Sequence, residues 1–348
     1  MHKIRLGIIG SGFMGQTHAA AAARLDEFEL IAVAGGTRAP RLAEAHSASL
    51  SPTVQALVER SDIDAVIVTS PHAFHSEHGL EALRHGKHCL IEKPLTTTVA
   101  AGVQLKQEAE SRGLTLTVGY HQRFRENVRR ARGLIRAGEI GRIDTIQISM
   151  PLHWPASGSS KNGFGSDWSW WNDPASVGHL LNSGPHAVDL LRWFLDAEVS
   201  EVFAYCVSLR EKSEVEDTTM ALLRMNCGTI ASLYSSNALP SASFPGEEFR
   251  FRMVGSQALL DLDPYGDLRV GSEAGWRVVS TQQHVGHESS STAFGESRLQ
   301  AYCDQLKSFA ARISGEPADC GTAGDGIAGV AACLAMVESS RQKALVRF

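Results

Sequence analysis

Glu92, Lys93 and Pro94 directly follow the apolar run "CLI", and their side chains are either ionisable or conformationally restricted. The run is typical of a buried strand, and a charged group that leaves water costs free energy unless it is paired. In α/β proteins, ligands bind at the ends of the parallel strands. The position therefore favours a functional lysine over a surface Glu–Lys ion pair, which would contribute little stability.

A second group of chemically capable side chains occurs in the stretch "NSGPHAVD". Asn182, His186 and Asp189 are spaced four and three residues apart, so on a helix they share one face. A histidine titrates near neutral pH and suits transfer of a proton from a hydroxyl group. The competing interpretation is a histidine that Asp189 holds in the core.

The turn "GSGFMG" places Gly10, Gly12 and Gly15 in a GxGxxG pattern between a strand and a helix. In such a turn the first glycine permits the bend, the second lets a pyrophosphate approach, and the third lets the helix pack on the strand. The first helical turn, with Phe13 and Met14, offers backbone N–H groups to the phosphates. Together with the surrounding βαβ rhythm, the pattern predicts a dinucleotide site.

The end of the second strand predicts which dinucleotide is bound. An acidic residue normally holds the adenosine ribose there, but this sequence has Gly35 and Gly36, followed by Thr37 and Arg38. Without a carboxylate nothing repels a 2′-phosphate, and Arg38 could bind one bidentately. We therefore expect NADP to be favoured over NAD; the alternative is that Arg38 is a solvated surface arginine.

Histidines recur after the next strand, where His72, His75 and His78 are spaced three residues apart. Such spacing is compatible with a metal site. However, much of the stretch is a loop and no dedicated carboxylate accompanies the histidines, so we predict no metal. Instead, Ser70, Pro71 and His75 are expected to line the cofactor groove.

The bulk composition is that of an ordinary globular protein. The 348 residues suffice for two domains, with 43% hydrophobic and 20% charged residues. The net charge of −5 argues against general binding to nucleic acid or to an anionic membrane. No apolar stretch reaches the length of a transmembrane helix. Six scattered cysteines without a CxxC pair are typical of reduced thiols, which predicts a cytoplasmic protein.

Two kinds of sheet are needed to position these groups. In the first third of the chain strands and helices alternate, which predicts an α/β fold with an N-terminal Rossmann doubly wound parallel sheet over residues 1–122. Longer alternating runs such as "RIDTIQISM" and "TIASLYSS" then predict a mainly antiparallel sheet in an α+β domain over residues 123–348. Large apolar residues on both faces of this second sheet predict a homodimer or homotetramer that forms through it.

Five motifs follow one another in the order of a known family: the glycine turn, "SPHAFH", "GKHCLIEKPL", "VGYHQRF" and "LLNSGPHAVDLLRW". With them the chain resembles the Gfo/Idh/MocA oxidoreductases, the family of glucose–fructose oxidoreductase and inositol dehydrogenase. The resemblance implies a Rossmann domain followed by a domain with a large open sheet that mediates dimers or tetramers. It also implies hydride transfer between NAD(P) and a secondary alcohol of a sugar or cyclitol.

By residue, the resemblance makes Lys93 the lysine of the EKP motif, with Glu92 and Pro94 beside the cofactor. It makes His186 the catalytic histidine of a DxGxH pattern. The usual aspartate of that pattern is Asn182 here, and an amide cannot hold a negative charge. We assign proton transfer to His186 with Lys93 assisting, and we give Asn182 an orienting role.

Further substrate contacts are expected from Tyr120, Arg123 and Trp171. Arg123 either contacts substrate or braces the domain junction. Trp171 is expected nearest the nicotinamide, in a cluster with Trp168 and Trp170 that either stacks on a sugar or packs at an interface. Two other functions stay open at this point: an NAD-dependent redox enzyme that cleaves glycosides, and a cofactor-binding sensor without turnover.

Overall fold

The computed structural model describes residues 3–151, 174–209, 214–239, 249–282, 289–290, 293–294 and 296–348. Within these residues the chain divides into two compact units. The first unit consists of residues 3–121 and the described residues between 289 and 330. The second consists of the described residues between 122 and 282, and of residues 331–348.

The helices and strands follow in chain order. The elements before residue 120 are β1 (Ile4–Ile9), α1 (Phe13–Ala22), β2 (Phe28–Ala34), α2 (Ala39–Ala45), β3 (Ser49–Leu50), α3 (Val54–Val58), β4 (Ala65–Val68), α4 (His75–Arg84), β5 (His88–Ile91), α5 (Val99–Ser111) and β6 (Leu116–Val118). The next are α6 (Glu126–Arg136), β7 (Ile143–Pro151), α7 (Gly178–Leu195), β8 (Val199–Val207), β9 (Thr218–Met225), β10 (Ile230–Ser236), β11 (Arg250–Gly255), β12 (Leu259–Leu262), β13 (Asp267–Ser272) and β14 (Gly275–Thr281). The last are β15 (Ser289–Ser290), β16 (Ala293–Phe294), α8 (Glu296–Ile313), β17 (Gly321–Thr322), α9 (Ala323–Gln342) and β18 (Val346–Arg347).

The sheet of the first unit has the strand order β3-β2-β1-β4-β5-β6-β17. Strands β1 to β6 run parallel to their neighbours, and β17 pairs antiparallel with β6 at one edge. Every residue of β4 is buried, as expected for a parallel strand covered on both faces. One hydrophobic core takes side chains from α1, α2 and α8, and the other takes them from α3, α4 and α5. The doubly wound parallel sheet is thereby confirmed.

Strands β1, β4 and β5 are neighbours in this sheet, so the loops at their carboxyl ends are neighbours too. Beyond the strands, the Thr69 N–H donates to the Ile9 carbonyl and the Glu92 N–H donates to the Val68 carbonyl. These bonds extend the sheet by one residue and fix the loops that follow. The glycine turn, the Ser70 loop and the Glu92–Pro94 loop therefore share one edge of the sheet, where α/β proteins bind ligands.

The sheet of the second unit has nine strands in the order β14-β13-β12-β11-β7-β10-β9-β8-β18. Only the β7–β10 pair is parallel among its described strand pairs, so the expected large, mainly antiparallel sheet is confirmed. Burial alternates along β9, as a strand with one covered face requires. Helices α6 and α7 pack on the covered face.

Candidate active site

The glycine turn after β1 has the geometry that a pyrophosphate requires. Gly10 has φ +106°, and a Cβ there would lie 2.7 Å from the Thr69 carbonyl carbon, so no other residue fits. A Cβ on Gly15 would lie 2.1 Å from the Gly10 carbonyl oxygen, which explains the close approach of α1 to β1. Gly12, by contrast, is exposed, and a Cβ there would have no atom within 4 Å. The turn is thus crowded on its protein side and open at the glycine that faces a ligand in this motif.

Gly12 is also the N-cap of α1, so the helix begins at the open side of the turn. Phe13 and Met14 form its first turn; the Phe13 side chain is buried, and Met14 packs against the first core. The backbone of this first turn is where a helix attracts an anion. The residues present therefore fit the phosphates of a dinucleotide.

The end of β2 lies against the same turn. Gly35 and Gly36 have φ values of +80° and +82°, and a Cβ on Gly36 would lie 2.6 Å from the Ser11 hydroxyl. Next along the chain, Thr37 is exposed and Arg38 is half-buried as the N-cap of α2. Both side chains therefore follow the strand end at which a Rossmann fold holds the adenosine ribose.

The loop after β4 is tied to its neighbours through Thr69, Ser70 and His75. The Thr69 hydroxyl lies 3.1 Å from the Ile9 carbonyl and 3.0 Å from the Gly10 carbonyl, which fixes the start of the glycine turn. His75 is buried, and its Nε2 lies 2.8 Å from the Ser70 carbonyl oxygen. Pro71, which follows Ser70 in the chain, is exposed. The third histidine of the series, His78, contacts the Ser70 hydroxyl through Nδ1 at 2.9 Å.

The Glu92–Lys93–Pro94 loop is not a surface ion pair. Glu92 is 3% exposed, and its Oε1 lies 2.8 Å from Nε2 of the fully buried His18 on α1. Its Oε2 accepts a hydrogen bond from the Lys93 backbone N–H at 3.1 Å. The Lys93–Pro94 peptide bond is cis.

Lys93 itself is half-buried at this edge of the sheet. Burial lowers the pKa of Lys93, and the Glu92 carboxylate acts in the opposite direction. An amine whose pKa lies closer to neutrality exchanges protons more readily at neutral pH. Lys93 is therefore not a fully solvated surface charge.

In the second unit, helix α7 begins at a crowded turn. Val177 and Gly178 both have positive φ values, of 61° and 83°, and a Cβ on Gly178 would lie 2.3 Å from the Glu216 carboxylate. That carboxylate accepts hydrogen bonds from the His179 and Leu180 backbone N–H groups at 2.8 and 2.7 Å. Burial raises the pKa of Glu216 to about 7, although both hydrogen bonds oppose the rise. Glu216 is thus the N-terminal cap of the helix that carries His186.

Further along α7, Asn182 is half-buried and His186 is 8% exposed. Pro185 lies between them inside the helix. Proline has no N–H, so the helical hydrogen bond to the Leu181 carbonyl is lost at this point. The helix therefore lacks one backbone hydrogen bond in the turn between Asn182 and His186.

Asp189 binds Arg123. Arg123 Nε and Nη2 lie 2.9 and 2.5 Å from the two Asp189 oxygens, and both side chains are buried. This is the bidentate geometry that makes a guanidinium–carboxylate pair strong. The Arg123 guanidinium also lies 5.8 Å from the Trp193 ring centroid.

Comparison with known proteins places the chain in a family. A model described as an oxidoreductase family with an NAD-binding Rossmann fold, GFO_IDH_MocA, matches residues 4–120. A model of the GFO/IDH/MocA C-terminal domain matches residues 128–261. The two models are matched in order and together span most of the chain. This chain belongs to the Gfo/Idh/MocA family.

Named relatives of this Gfo/Idh/MocA oxidoreductase include a reductase and a dehydrogenase. The 1,5-anhydro-D-fructose reductase of Ensifer adhaerens is 28% identical over 345 residues, which are 97% of this chain and 96% of that protein. The scyllo-inositol 2-dehydrogenase (NADP(+)) IolW of Bacillus subtilis (strain 168) is 27% identical over 243 residues, 68% of this chain and 64% of that protein. An oxidoreductase domain protein from Kribbella flavida has a TM-score of 0.85 at 22% identity, covers 100% of this chain and 99% of its own, and shows the shared fold.

The first family model includes the glycine turn and Lys93, and the second includes His186. The other expected substrate residues differ in their surroundings. Tyr120 has no exposed surface, and a Cβ on Gly321 would lie 2.6 Å from its ring. Trp171, like Trp168 and Trp170, lies outside the described residues. The substrate contacts of Tyr120, Arg123 and Trp171 stay predictions.

Three residues with evident roles in the site were missed by sequence reasoning: His18, Thr69 and Glu216. His18 is the one histidine in the alanine-rich α1, a signal that could have been noticed. Thr69 stands directly after a buried strand and before Ser70, as Glu92 does after β5. Glu216 gives no local signal, because its partner helix begins almost 40 residues earlier in the chain.

The structure also bears on metal binding and on membrane insertion. In the part of the chain that the structure describes, no group of three or more His, Cys, Asp or Glu side chains could hold a metal ion. Among the same residues, every helix is too short or too polar to traverse a bilayer.

Proposed function

We propose that this family member transfers hydride between NAD(P) and a secondary hydroxyl or ketone of a sugar, sugar derivative or cyclitol. The observation that carries the proposal is the position of Lys93. Its half-buried amine follows β5, two strands away from the glycine turn after β1, at the sheet edge where a nicotinamide dinucleotide fits. The names of the two relatives, a reductase of a sugar derivative and a dehydrogenase of a cyclitol, support the substrate class.

The chain's own residues then handle the proton. When bound, the nicotinamide ring supplies hydride transfer at the carbon that carries the substrate oxygen. In the direction of oxidation, an imidazole nitrogen of His186 takes the hydroxyl proton, and the Lys93 amine donates a hydrogen bond to the same oxygen. Loss of one hydride and one proton converts the secondary alcohol to a ketone. Asn182, one helical turn before His186, orients the substrate hydroxyl through its amide.

For the cofactor we propose NADP over NAD. Gly10, Gly12 and Gly15, with Phe13 and Met14, would hold the pyrophosphate, and Thr37 and Arg38 would hold the 2′-phosphate. Support comes from the two glycines at the position of the usual ribose-binding acid. The name of one relative, the scyllo-inositol 2-dehydrogenase, specifies NADP(+).

A screen of purified protein tests the function. Sugars, anhydrosugars and cyclitols are each incubated with NADP⁺ or NAD⁺, and the corresponding ketones with the reduced cofactors. Nicotinamide absorbance and product analysis are followed together. The proposal expects a net absorbance change matched by an equal amount of ketone or alcohol. Release of free sugar from a glycoside without net absorbance change would instead identify a glycoside-cleaving enzyme, and cofactor binding without any turnover would identify a sensor.

We also propose that a second copy of the chain covers the outer face of the nine-stranded sheet. That face exposes Tyr205, Met220 and Leu222 by 55% or more on the adjacent strands β8 and β9, and Trp276 and Val278 by 57% or more on β14. So much exposed apolar surface on one face is typical of an interface. We expect a homodimer or, by pairing of dimers, a homotetramer. Light scattering would test this. The parent should have two or four times the mass of one chain, 37.5 kDa, and the double variant Met220→Lys with Leu222→Lys should have the mass of one chain.

The cytoplasm is the compartment that we propose for this activity. All six cysteines lie in the described part of the chain and are free thiols, and four of them are buried. Free thiols are typical of a reducing compartment.

A further inference from the structure

Two buried histidines contact the residues on either side of Lys93 in the chain. His18 on α1 has no exposed surface, and its Nε2 lies 2.8 Å from Glu92 Oε1. His75, at the start of α4, is 1% exposed, and its Nδ1 lies 2.7 Å from the Pro94 carbonyl oxygen. We propose that His18 and His75 are positioning residues for Lys93, one holding the residue before it and the other the residue after it. The inference rests on the proposed role of Lys93 in proton transfer.

The contact with His18 fixes the Glu92 carboxylate. A buried carboxylate is stable only when its oxygens receive hydrogen bonds, and here each oxygen has one: Oε1 from His18 and Oε2 from the Lys93 backbone N–H. The ionised carboxylate can only accept, so Nε2 of His18 carries the proton and donates. On another side the carboxylate is walled by Gly119, where a Cβ would lie 2.8 Å from it. Glu92 therefore has one place to lie as long as His18 holds it.

The His18 ring is itself held by packing. It meets the Tyr302 ring of α8 edge-on, with the centroids 5.5 Å apart. Within the described residues, Nδ1 of His18 has no hydrogen-bond partner. A neutral ring protonated on Nε2 places its single N–H on Glu92 and strands no buried donor. The packing and the contact with Glu92 therefore favour one tautomer and one orientation of the His18 ring.

His75 links the loops after β4 and β5. Its Nδ1 faces the Pro94 carbonyl at 2.7 Å and its Nε2 faces the Ser70 carbonyl at 2.8 Å. A neutral imidazole has one N–H and can donate to one carbonyl at a time, whereas a protonated ring would donate to both. Burial lowers the pKa of His75, and the two carbonyl contacts oppose this. With its proton on Nδ1 the neutral ring donates to the Pro94 carbonyl, and the protonated ring donates to both carbonyls, so in these two forms Pro94 is held by a buried hydrogen bond.

A lysine needs such support more than most catalytic groups do. Its ammonium is a point charge on a flexible four-carbon stem, so the backbone beside it must be fixed if the amine is to meet one oxygen. The Glu92 charge also raises the pKa of Lys93 against the effect of burial, so displacement of Glu92 would lower the pKa of the amine. His18 lies on the helix whose first turn fits the pyrophosphate, so one helix serves the cofactor and, through Glu92, the lysine.

The experiment measures the pKa of the Lys93 amine in the full-length protein without added cofactor. The lysines are ¹³C-methylated, and the Lys93 signal is identified by its loss in Lys93→Arg. We expect His18→Leu to lower this pKa, because Glu92 no longer has a fixed position beside the amine. The conservative His18→Gln keeps an N–H donor, so the pKa of Lys93 should stay close to that of the parent. His85→Gln is the matched control, because His85 is an exposed histidine that follows α4 as its C-cap, and its replacement should leave the pKa unchanged.

Turnover supplies the second readout. His18→Leu and His75→Leu should each lower kcat about 10- to 100-fold while KM for the cofactor changes less than about 3-fold, since the lysine is misplaced and the glycine turn is intact. A parent-like Lys93 pKa and a parent-like kcat in folded His18→Leu would overturn the role of His18, and a parent-like kcat in folded His75→Leu that of His75. If His18→Leu does not fold, Glu92→Gln takes its place: a lowered Lys93 pKa supports the proposal, and an unchanged one overturns it. Full activity in Lys93→Ala would contradict the proposed function alone, because the pKa measurement does not depend on turnover.

Discussion

The loop that carries Lys93 and the helix that carries His186 are held in place by different forces. Around Lys93 two buried histidines lie within hydrogen-bond distance of one carboxylate and two backbone carbonyls. Around His186 the contacts come from two carboxylates: Glu216 caps α7, and Asp189 pairs with Arg123 one turn beyond the histidine. In each region these contacts hold residues that lie near Lys93 or His186 in the sequence.

The difference follows from the shape of the two side chains. An imidazole is short and rigid, so fixing a helix fixes the ring to within a few rotamers. A lysine amine is four carbons from its backbone, and a fixed backbone is only the first requirement. We therefore expect the α7 anchors to act mainly on stability and the Lys93 anchors mainly on turnover. Each of the following predictions can break or sharpen that contrast.

The largest effect is expected for the two side chains to which we propose to assign proton transfer. Lys93→Ala and His186→Ala should each lower kcat by about 10² to 10⁴, the usual contribution of a positioned proton donor or acceptor. Because the glycine turn is untouched, NADPH affinity measured by fluorescence titration should stay within about 3-fold of the parent. Steady-state kinetics on the substrate found by the screen gives the comparison.

Lys106→Ala is the control for that measurement, since Lys106 is an exposed lysine on α5 that pairs only loosely with Glu110 at 3.8 Å. It should keep the parent's kcat and KM. Near-parent turnover in either Lys93→Ala or His186→Ala would refute the assignment of that residue.

The next largest effect concerns the buried Arg123–Asp189 pair. Arg123→Met and Asp189→Leu should each lower the free energy of unfolding by about 3–5 kcal/mol, because each leaves its partner's charge buried and unpaired. The double variant should recover much of that loss, since neither charge remains. Urea unfolding of the four proteins measures the cycle.

Arg130→Met serves as the control, because Arg130 pairs with Glu126 at the surface and such a pair is worth less than about 1 kcal/mol. The same variants address the alternative that Arg123 contacts substrate. An Arg123→Met protein of parent-like stability but greatly raised substrate KM would favour the substrate role over the structural one.

Much of the fold could be predicted because its signals are local. The glycine turn, the fully apolar β4 and the alternation along β9 each reflect which faces of an element are buried, and that is written in a short stretch of sequence. The position of Lys93 at a strand end is equally local. The family motifs then gave the order of the two domains.

What the sequence could not reveal are pairings between distant segments. Helix α8 packs Leu306 and Phe309 into the same core as Leu6 and Ile8 of β1, although about 300 residues separate them. Sequence spacing placed Asp189 on the face of His186 but could not identify Arg123 as its partner. The same holds for His18 and Glu92, which are 74 residues apart and meet only in the folded first unit. Such contacts depend on tertiary packing, which no local pattern encodes.

A smaller effect is expected for the cofactor. Arg38→Ala should weaken NADPH binding about 10- to 100-fold, the value of a lost hydrogen bond to a charged group, and leave NADH binding unchanged. Equilibrium titration with both cofactors measures the two dissociation constants. Arg41→Ala is the matched control, because Arg41 is an exposed arginine on the same helix α2. Equal affinities of the parent for NADPH and NADH would show that Arg38 does not bind the 2′-phosphate.

A further effect, which depends on pH, is expected at Glu216, the cap of α7. Burial raises the pKa of Glu216 from 4.5 to about 7, so the folded protein binds a proton that the unfolded chain has lost between these two values. Stability from this group is therefore fully present below pH 4.5 and is lost as the pH rises through about 7. Glu216→Gln removes the titratable group, so its free energy of unfolding should rise relative to that of the parent between pH 5 and pH 8. Urea unfolding at intervals across this range measures the gain, with Glu214→Gln, an exposed neighbour, as the control. If the difference in unfolding free energy between the parent and Glu216→Gln does not change with pH, the carboxylate caps α7 without carrying a proton near neutrality. The contrast between the charged anchors of α7 and the histidine anchors of Lys93 would then be sharper.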